Sequence, residues 1–212
     1  MGKLDCLVWL GLKQGPPGST IDGVVTWRML IAEYLGTLLL VFFGTMLAVA
    51  PGNVDPISGP FAGGLALACI VQALAHVSGA MVNPAMSLGF FTCRRISFIK
   101  LCLFSLAQCA GAISGSALLK AVTPSTNHAL HAMGSTTLAP GVTIFHGICI
   151  EIMITFLLVF LTVSATDGRR VDVTGSIPLI IGLAIVACSF AALKEPPAKV
   201  KWRGREARRI RS

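Results

Sequence analysis

"SGAMVNPAMSLGFF", residues 78–91, places Asn83-Pro84-Ala85 in the middle of a very apolar chain. Asn and Pro are poor helix-interior residues, and hydrocarbon is a poor place to interrupt a helix, because freed backbone groups find no water there. Pro84 suits the first turn of a helix, where its missing N–H is not needed, and Asn83 suits the N-cap before it. The reading is a short helix over 84–91, roughly 12 Å at 1.5 Å per residue. That is less than half of a ~30 Å hydrocarbon core. Its positive N-terminal end would lie deep in the protein. Non-helical backbone is tolerated at such depth only when buried in protein or lining a cavity. The stretch His76–Val82 is accordingly read as extended, offering a row of carbonyl acceptors to a cavity, with the Asn83 amide adding donors.

The surrounding sequence supports a membrane setting. Of 212 residues, 54% are hydrophobic and 12% charged, with a mean hydropathy of +0.79. A soluble domain carries about twice that charge, roughly 25%. Runs 29–50, 61–77, 96–122, 144–165 and 176–193 hold only Glu33, Lys100, Lys120 and Glu151 as charged residues. Each is near or above the ~18 apolar residues of a membrane span. Stretches such as "MITFLLVFLTVSA" and "IPLIIGLAIVACSFAA" lack the polar stripe of a soluble bundle helix. Five transmembrane helices are read. Lys3, Lys13 and Arg28 precede the first, Arg94, Arg95 and Lys100 follow the second, and Arg169 and Arg170 follow the fourth. The loops 51–60 and 123–143 have no Lys or Arg, so the N-terminus is read as cytoplasmic. No cleavable signal pattern is read, since "CLVWLGL" is too short a run.

The seven cysteines form no Cys-x-x-Cys pair, and most lie inside spans as small hydrophobes. His128 and His131 have helix-compatible metal spacing but no carboxylate or cysteine nearby, and are read as two loop histidines. No metal or cofactor is expected. Glu33 and Glu151 stand without a nucleophile or metal constellation, so an enzyme is disfavoured.

Comparing the chain with itself exposes a repeat. "EYLGTLLLVF" (33–42) and "EIMITFLLVF" (151–160) share Glu, Thr, Leu, Leu, Val and Phe at an offset of 118, and the same offset aligns "GLA" at 64–66 with "GLA" at 182–184. Three spans separate the starting points, so the second copy is inverted. Inverted repeats mark transporter and channel folds, whose sites lie near the midplane at broken or half-length helices.

"AEYLGTLLLVFFG", "HVSGAMVNPAMSLG", "AQCAGAISG" (107–115) and "EIMITFLLVF" resemble, in order and spacing, segments of the aquaporin family, also called major intrinsic proteins. The resemblance runs from about residue 27 to about 192. It implies an all-α membrane protein, an aquaporin-like inverted-repeat bundle with five of six transmembrane helices and one of two NPA half-helices. It further implies a pore at Asn83, Pro84 and Ala85, lined by the loop His76, Ser78, Gly79, Ala80 and Met81, with Met81 where the family commonly has His. Glu33, Glu151 and Gln108 match the positions that brace the pore loops. The outer selectivity filter falls at Ser189, where water-selective members have His, and near Gly63, where they have Phe. Small residues at both resemble the insect glycerol-conducting branch. The implied permeants are water, glycerol or urea, and the implied assembly in the bilayer is a homotetramer. In aquaporin-type pores, hydrogen-bonding groups along the pore and half-helix dipoles favour neutral solutes and exclude cations.

The offset places a second Asn-Pro-Ala near residue 201, where the sequence reads "KVKWRGREARRIRS". Residues 194–211 hold eight basic residues against Glu195 and Glu206, which is +6 of the chain's +8. A basic tail suits acidic lipid or nucleic acid, but no nucleic-acid partner is expected. Residues 193–212 are read as a non-family tail from an alternative or misread 3′ end. The organisation expected is 1–26 cytoplasmic segment, 27–192 incomplete channel domain and 193–212 tail. The function expected is a channel impaired in this form, with a non-conducting isoform that co-assembles with full-length subunits, or an incomplete gene model, as the other readings.

Overall fold

Helices begin where the chain supplies a side-chain acceptor for the unpaired N–H groups of a first turn. In the computed structural model, which describes residues 25–50, 55, 57–124, 134, 138, 143–170, 172 and 175–192, Thr26 caps α1 (Trp27–Met46) and Asn83 caps α3 (Pro84–Thr92). Ser97 caps α4 (Phe98–Val122) and Thr143 caps α5 (Ile144–Ala165). A turn in which Asp55 accepts from the Ile57 N–H at 2.9 Å leads into α2 (Ser58–Ser78). Ser176 accepts from the Leu179 N–H at 3.4 Å at the start of α6 (Ile177–Ala192). A 3-10 turn, Leu47–Val49, extends α1. The segment 1–24, the tail 193–212, and His128 and His131 lie outside the described residues.

The expected spans form, with one difference in length. With its 3-10 turn α1 has 23 residues, and α2, α4 and α5 have 21, 25 and 22, all apolar enough to cross a membrane. The fifth run gives a helix of 16 residues, about 24 Å. The distribution of polarity is that of a bilayer protein. Glu33, Ser87 and Gln108 are fully buried, whereas Phe145, Ile152 and Phe156 are exposed on the outside. Lipid accepts such an apolar exterior, and a polar centre must satisfy its own hydrogen bonds.

The inverted repeat is directly visible at one crossing. The helices α2 and α6 run antiparallel, with Phe61 beside Phe190 at 5.8 Å between ring centroids and Gly64 and Ala68 against Gly182. Gly64 and Gly182 are equivalent under the 118-residue offset, and they meet each other. A Cβ on Gly64 would sit 2.5 Å from the Gly182 carbonyl oxygen, and one on Gly182 would strike the Gly64 carbonyl. Equivalent residues touch each other only on a twofold axis, so this contact marks the pseudo-twofold of the repeat. The helices α1 and α4 run parallel, joined where Gly111 and Gly115 admit the backbone of Tyr34 and Leu38, a small-xxx-small contact suited to membrane packing.

Adjacent glycines on α2 should therefore respond oppositely to substitution. Gly64→Ala places a methyl against backbone that cannot retreat, and overpacking of this kind costs about 1–3 kcal/mol. Gly63→Ala meets only the Gly44 Cα at 4.0 Å and gains helix propensity, up to ~1 kcal/mol. Thermal unfolding of the detergent-solubilised full chain should show Tm falling for the first and holding or rising for the second.

Candidate functional site

Continuing helically through Ser78, α2 ends at Gly79, whose φ of 95° and N–H bond to the Ala75 carbonyl (3.0 Å) form a left-handed C-cap. The extended stretch expected over His76–Val82 is therefore shorter. His76, Val77 and Ser78 belong to α2, and the non-helical backbone runs from Gly79 to Asn83. Helix propagation wins at 76–78 because nothing in "HVS" breaks the hydrogen-bond ladder before the glycine.

Two residues of this stretch occupy backbone conformations that L side chains rarely take, Ala80 at φ 47° and Val82 at φ 41°. For β-branched Val82 this is a strained state, costing on the order of 1–3 kcal/mol. It persists because the neighbouring amides are held from α1. The Glu33 carboxylate accepts from Met81 N–H (3.1 Å) and the Ser78 hydroxyl (2.6 Å) at Oε1, and from Val82 N–H (2.8 Å) and Gln108 Nε2 (2.7 Å) at Oε2. Ser78 Oγ also accepts from Ala80 N–H at 3.0 Å. All four partners of Glu33 are donors, the set an acceptor-only carboxylate requires. Each such bond contributes about 1.5–3 kcal/mol, and together they offset the several kcal/mol that burial of a carboxylate costs.

The network extends to the half-helix. Asn83 Oδ1 accepts from the Ala85 N–H at 2.8 Å and Pro84 takes the first helical position. The expected helix over 84–91 is thus present as Pro84–Thr92. Gln108 Nε2 donates a second bond to Ser87 Oγ (3.0 Å), and Ser87 is wholly buried. Glu33, Gln108 and Ser87 therefore tie α1, α4 and α3 to one loop. The sequence reading missed Ser87. Its signal was a hydroxyl residue one helical turn after Asn83 on a short apolar helix.

The N–H groups of Ala80, Met81 and Val82 all point into this network, and no described donor reaches the carbonyl oxygens of Gly79, Ala80 and Met81. These three residues wall a cavity of about 560 Å³. Its other walls are mostly apolar, including Leu67, Met86, Phe90, Leu158 and Ile181, with His76, Thr162 and Arg95 among the polar members. Among the described residues, Thr162 Oγ1 is buried without a hydrogen-bond partner.

The remaining sequence-predicted residues lie elsewhere. Neither Gly63 nor Ser189 lines this cavity. Gly63 faces Gly44 on α1. Ser189 is half-buried, next to the Phe190 that meets Phe61, so both filter positions sit at the same end of the α2–α6 pair. Glu151 is exposed on α5, and among the described residues no hydrogen-bond partner reaches it. Its repeat equivalent, Glu33, is fully enclosed.

The sequence profile of the family named major intrinsic protein matches residues 20–196. The chain belongs to this family. Aquaporin-1 of Homo sapiens is 38% identical over 176 residues, which cover 79% of this chain and 65% of that protein. Aquaporin FA-CHIP of Pelophylax lessonae is 36% identical over 180 residues (79% and 65%), and aquaporin-4 of Mus musculus 37% over 165 residues (75% and 50%). The chain thus spans half to two-thirds of the length of these relatives. In the X-ray structure of the aquaglyceroporin from Plasmodium falciparum the same fold covers 77% of this chain and 71% of that one, with a TM-score of 0.68 at 21% identity. Major intrinsic proteins are multi-pass membrane channels, not enzymes.

Glu33→Gln tests the grip on the loop. The glutamine amide faces N–H donors with an NH2 group, leaving at least one buried donor unpaired at about 1–3 kcal/mol. The expected outcome is a lowered Tm with faster hydrogen exchange at the Met81 and Val82 amides. Asn83→Ala, which removes only the cap, should cost about 1 kcal/mol and leave those two amides protected.

Proposed function

We propose that this chain builds one side of a conduit for water and small uncharged solutes, glycerol and urea among them, with its N-terminus in the cytoplasm and in a homo-oligomeric, tetrameric assembly. The observation that carries the reading is the row of carbonyls of Gly79, Ala80 and Met81, which no described donor reaches, along a mostly apolar cavity. A solute leaving bulk water exchanges its water hydrogen bonds for these acceptors, while the apolar walls give an ion no such replacement. Arg95 donates to the Thr166 hydroxyl and carbonyl and to the Val163 carbonyl, which brings the 93–97 turn and the 166–170 turn to one side. Both turns are rich in Arg, and this supports the cytoplasmic assignment of that side. In the loop, Arg169 beside Asp167 holds that carboxyl well below the usual carboxylate range.

The wider-filter reading rests on Ser189 and Gly63, which offer no bulky ring at the positions where a water-selective filter carries one. The impaired-channel reading rests on Glu151. A carboxylate in an apolar helix is expensive without partners, and among the described residues the exposed Glu151 makes none of the four kinds of bond that its equivalent Glu33 makes. The same exposed face supports the second reading, a non-conducting chain that co-assembles with full-length subunits.

Two flux measurements test these points. The full chain, reconstituted alone in vesicles, is expected to give water and glycerol permeability at background. Robust flux would overturn the impairment and imply that neighbouring subunits complete each other's pores. A chimaera with residues 193–212 replaced by the second half-helix and sixth span of a relative should pass glycerol. There, Ser189→His should cut glycerol uptake severalfold while sparing water. Water flux without glycerol or urea uptake in the unsubstituted chimaera would refute the wide filter.

A further inference from the structure

The cavity carries a feature that the carbonyl row does not explain. Among the described side chains that line it, Arg95 is the one with a permanent charge, and none of them is Asp or Glu. Arg95 lies beyond the end of α3 remote from Asn83, at the C-terminal turn of α5. Its position is fixed by three hydrogen bonds, to Thr166 Oγ1 (2.8 Å), the Thr166 carbonyl (3.3 Å) and the Val163 carbonyl (3.1 Å). The guanidinium also stacks over the Phe90 ring at 5.7 Å from the centroid. Phe90 and Thr166 themselves line the cavity.

Every direct acceptor of Arg95 is neutral. The α5 C-terminal carbonyls carry a partial negative charge that offsets part of the guanidinium charge. The Asp167 carboxylate, which interacts electrostatically with Arg95, is itself held by Arg169 at 2.8 Å. At the opposite end of the half-helix, Asn83 and the first turn of α3 present a positive dipole end. Met86 of that turn lines the cavity, while Asn83, Pro84 and Ala85 do not, so Arg95 is the full positive charge that borders its mostly apolar walls.

We propose that Arg95 is a specificity-determining residue that keeps cations out of this cavity at its Arg95 end. The proposal deepens the conduit reading and rests on the cavity being open to water. Lysine at this position would keep the charge, while glutamine would keep a hydrogen-bonding side chain without it.

Charge-selective thiol labelling tests this without requiring flux. Ala75→Cys places a thiol in the cavity wall of the full chain in vesicles, where none of the described native cysteines lines the cavity. The rates of modification by an anionic (sulfonatoethyl) and a cationic (trimethylammonioethyl) methanethiosulfonate are read peptide by peptide, so that native cysteines are counted separately. Clefts of one charge sign change local ion concentrations by factors of about 10 or more, so the anionic-to-cationic rate ratio at the introduced thiol should exceed that of a free thiol by about tenfold. Arg95→Gln should bring it within about twofold of the free thiol. Arg95→Lys should preserve it, and so should Arg94→Gln, which removes an exposed charge outside the cavity. A ratio unchanged by Arg95→Gln, an equal loss in Arg95→Lys, or no labelling by either reagent would overturn the proposal. The proposed permeants stand or fall by the flux measurements, whatever this ratio shows.

Discussion

One buried carboxylate organises the site. Glu33 reaches from α1 to the backbone of a loop that no regular ladder supports, and its four acceptor bonds bind Ser78, Met81, Val82 and Gln108 at once. Without it, two amides would be unpaired in a non-aqueous interior, and the left-handed conformations at Ala80 and Val82 would have no compensation. Because the amides turn toward Glu33, the carbonyls on the same peptide chain are left for the cavity. Bracing and lining are two sides of one backbone geometry.

The pseudo-twofold adds a second constraint. The backbones of α2 and α6 approach closely where they cross, and glycine stands at both equivalent positions, 64 and 182. Membrane helices gain little from hydrophobic association, since lipid tails are as apolar as leucine, so close packing at small residues carries more of the stabilisation. That contact positions both halves of the repeat. The two equivalent acids nevertheless end in unlike surroundings. Glu33 is enclosed by the loop it holds, and Glu151 is exposed along α5.

Electrostatics separate the roles around the cavity. Exposed ion pairs such as Arg170 with Asp172 (2.6 Å) are screened by water and contribute little to stability. Arg95 differs because its charge borders a partly open, mostly apolar cavity, where a field is screened less than on the open surface. The hydrogen bonds that cap α5 also hold that charge in place, so a structural contact and an electrostatic one share a single side chain.

Much of this was legible in the sequence. Low charge with long apolar runs requires a membrane. The Asn-Pro pair dictates a capped half-helix over 84–91. The 118-residue offset with an odd number of spans requires inversion, and a buried Glu in an apolar helix demands donors. Those are local or arithmetical consequences of residue type. The tertiary structure decided what depends on residues distant in sequence. It ended α2 at Gly79 instead of His76, because the helix ladder holds until a left-handed cap is available. It brought Ser87 to Gln108, 21 residues away, and turned the repeat offset into a contact between Gly64 and Gly182. It placed Arg95, which the sequence shows only as one member of a basic turn, against a cavity, because the α5 C-terminus that holds it lies some seventy residues further along the chain.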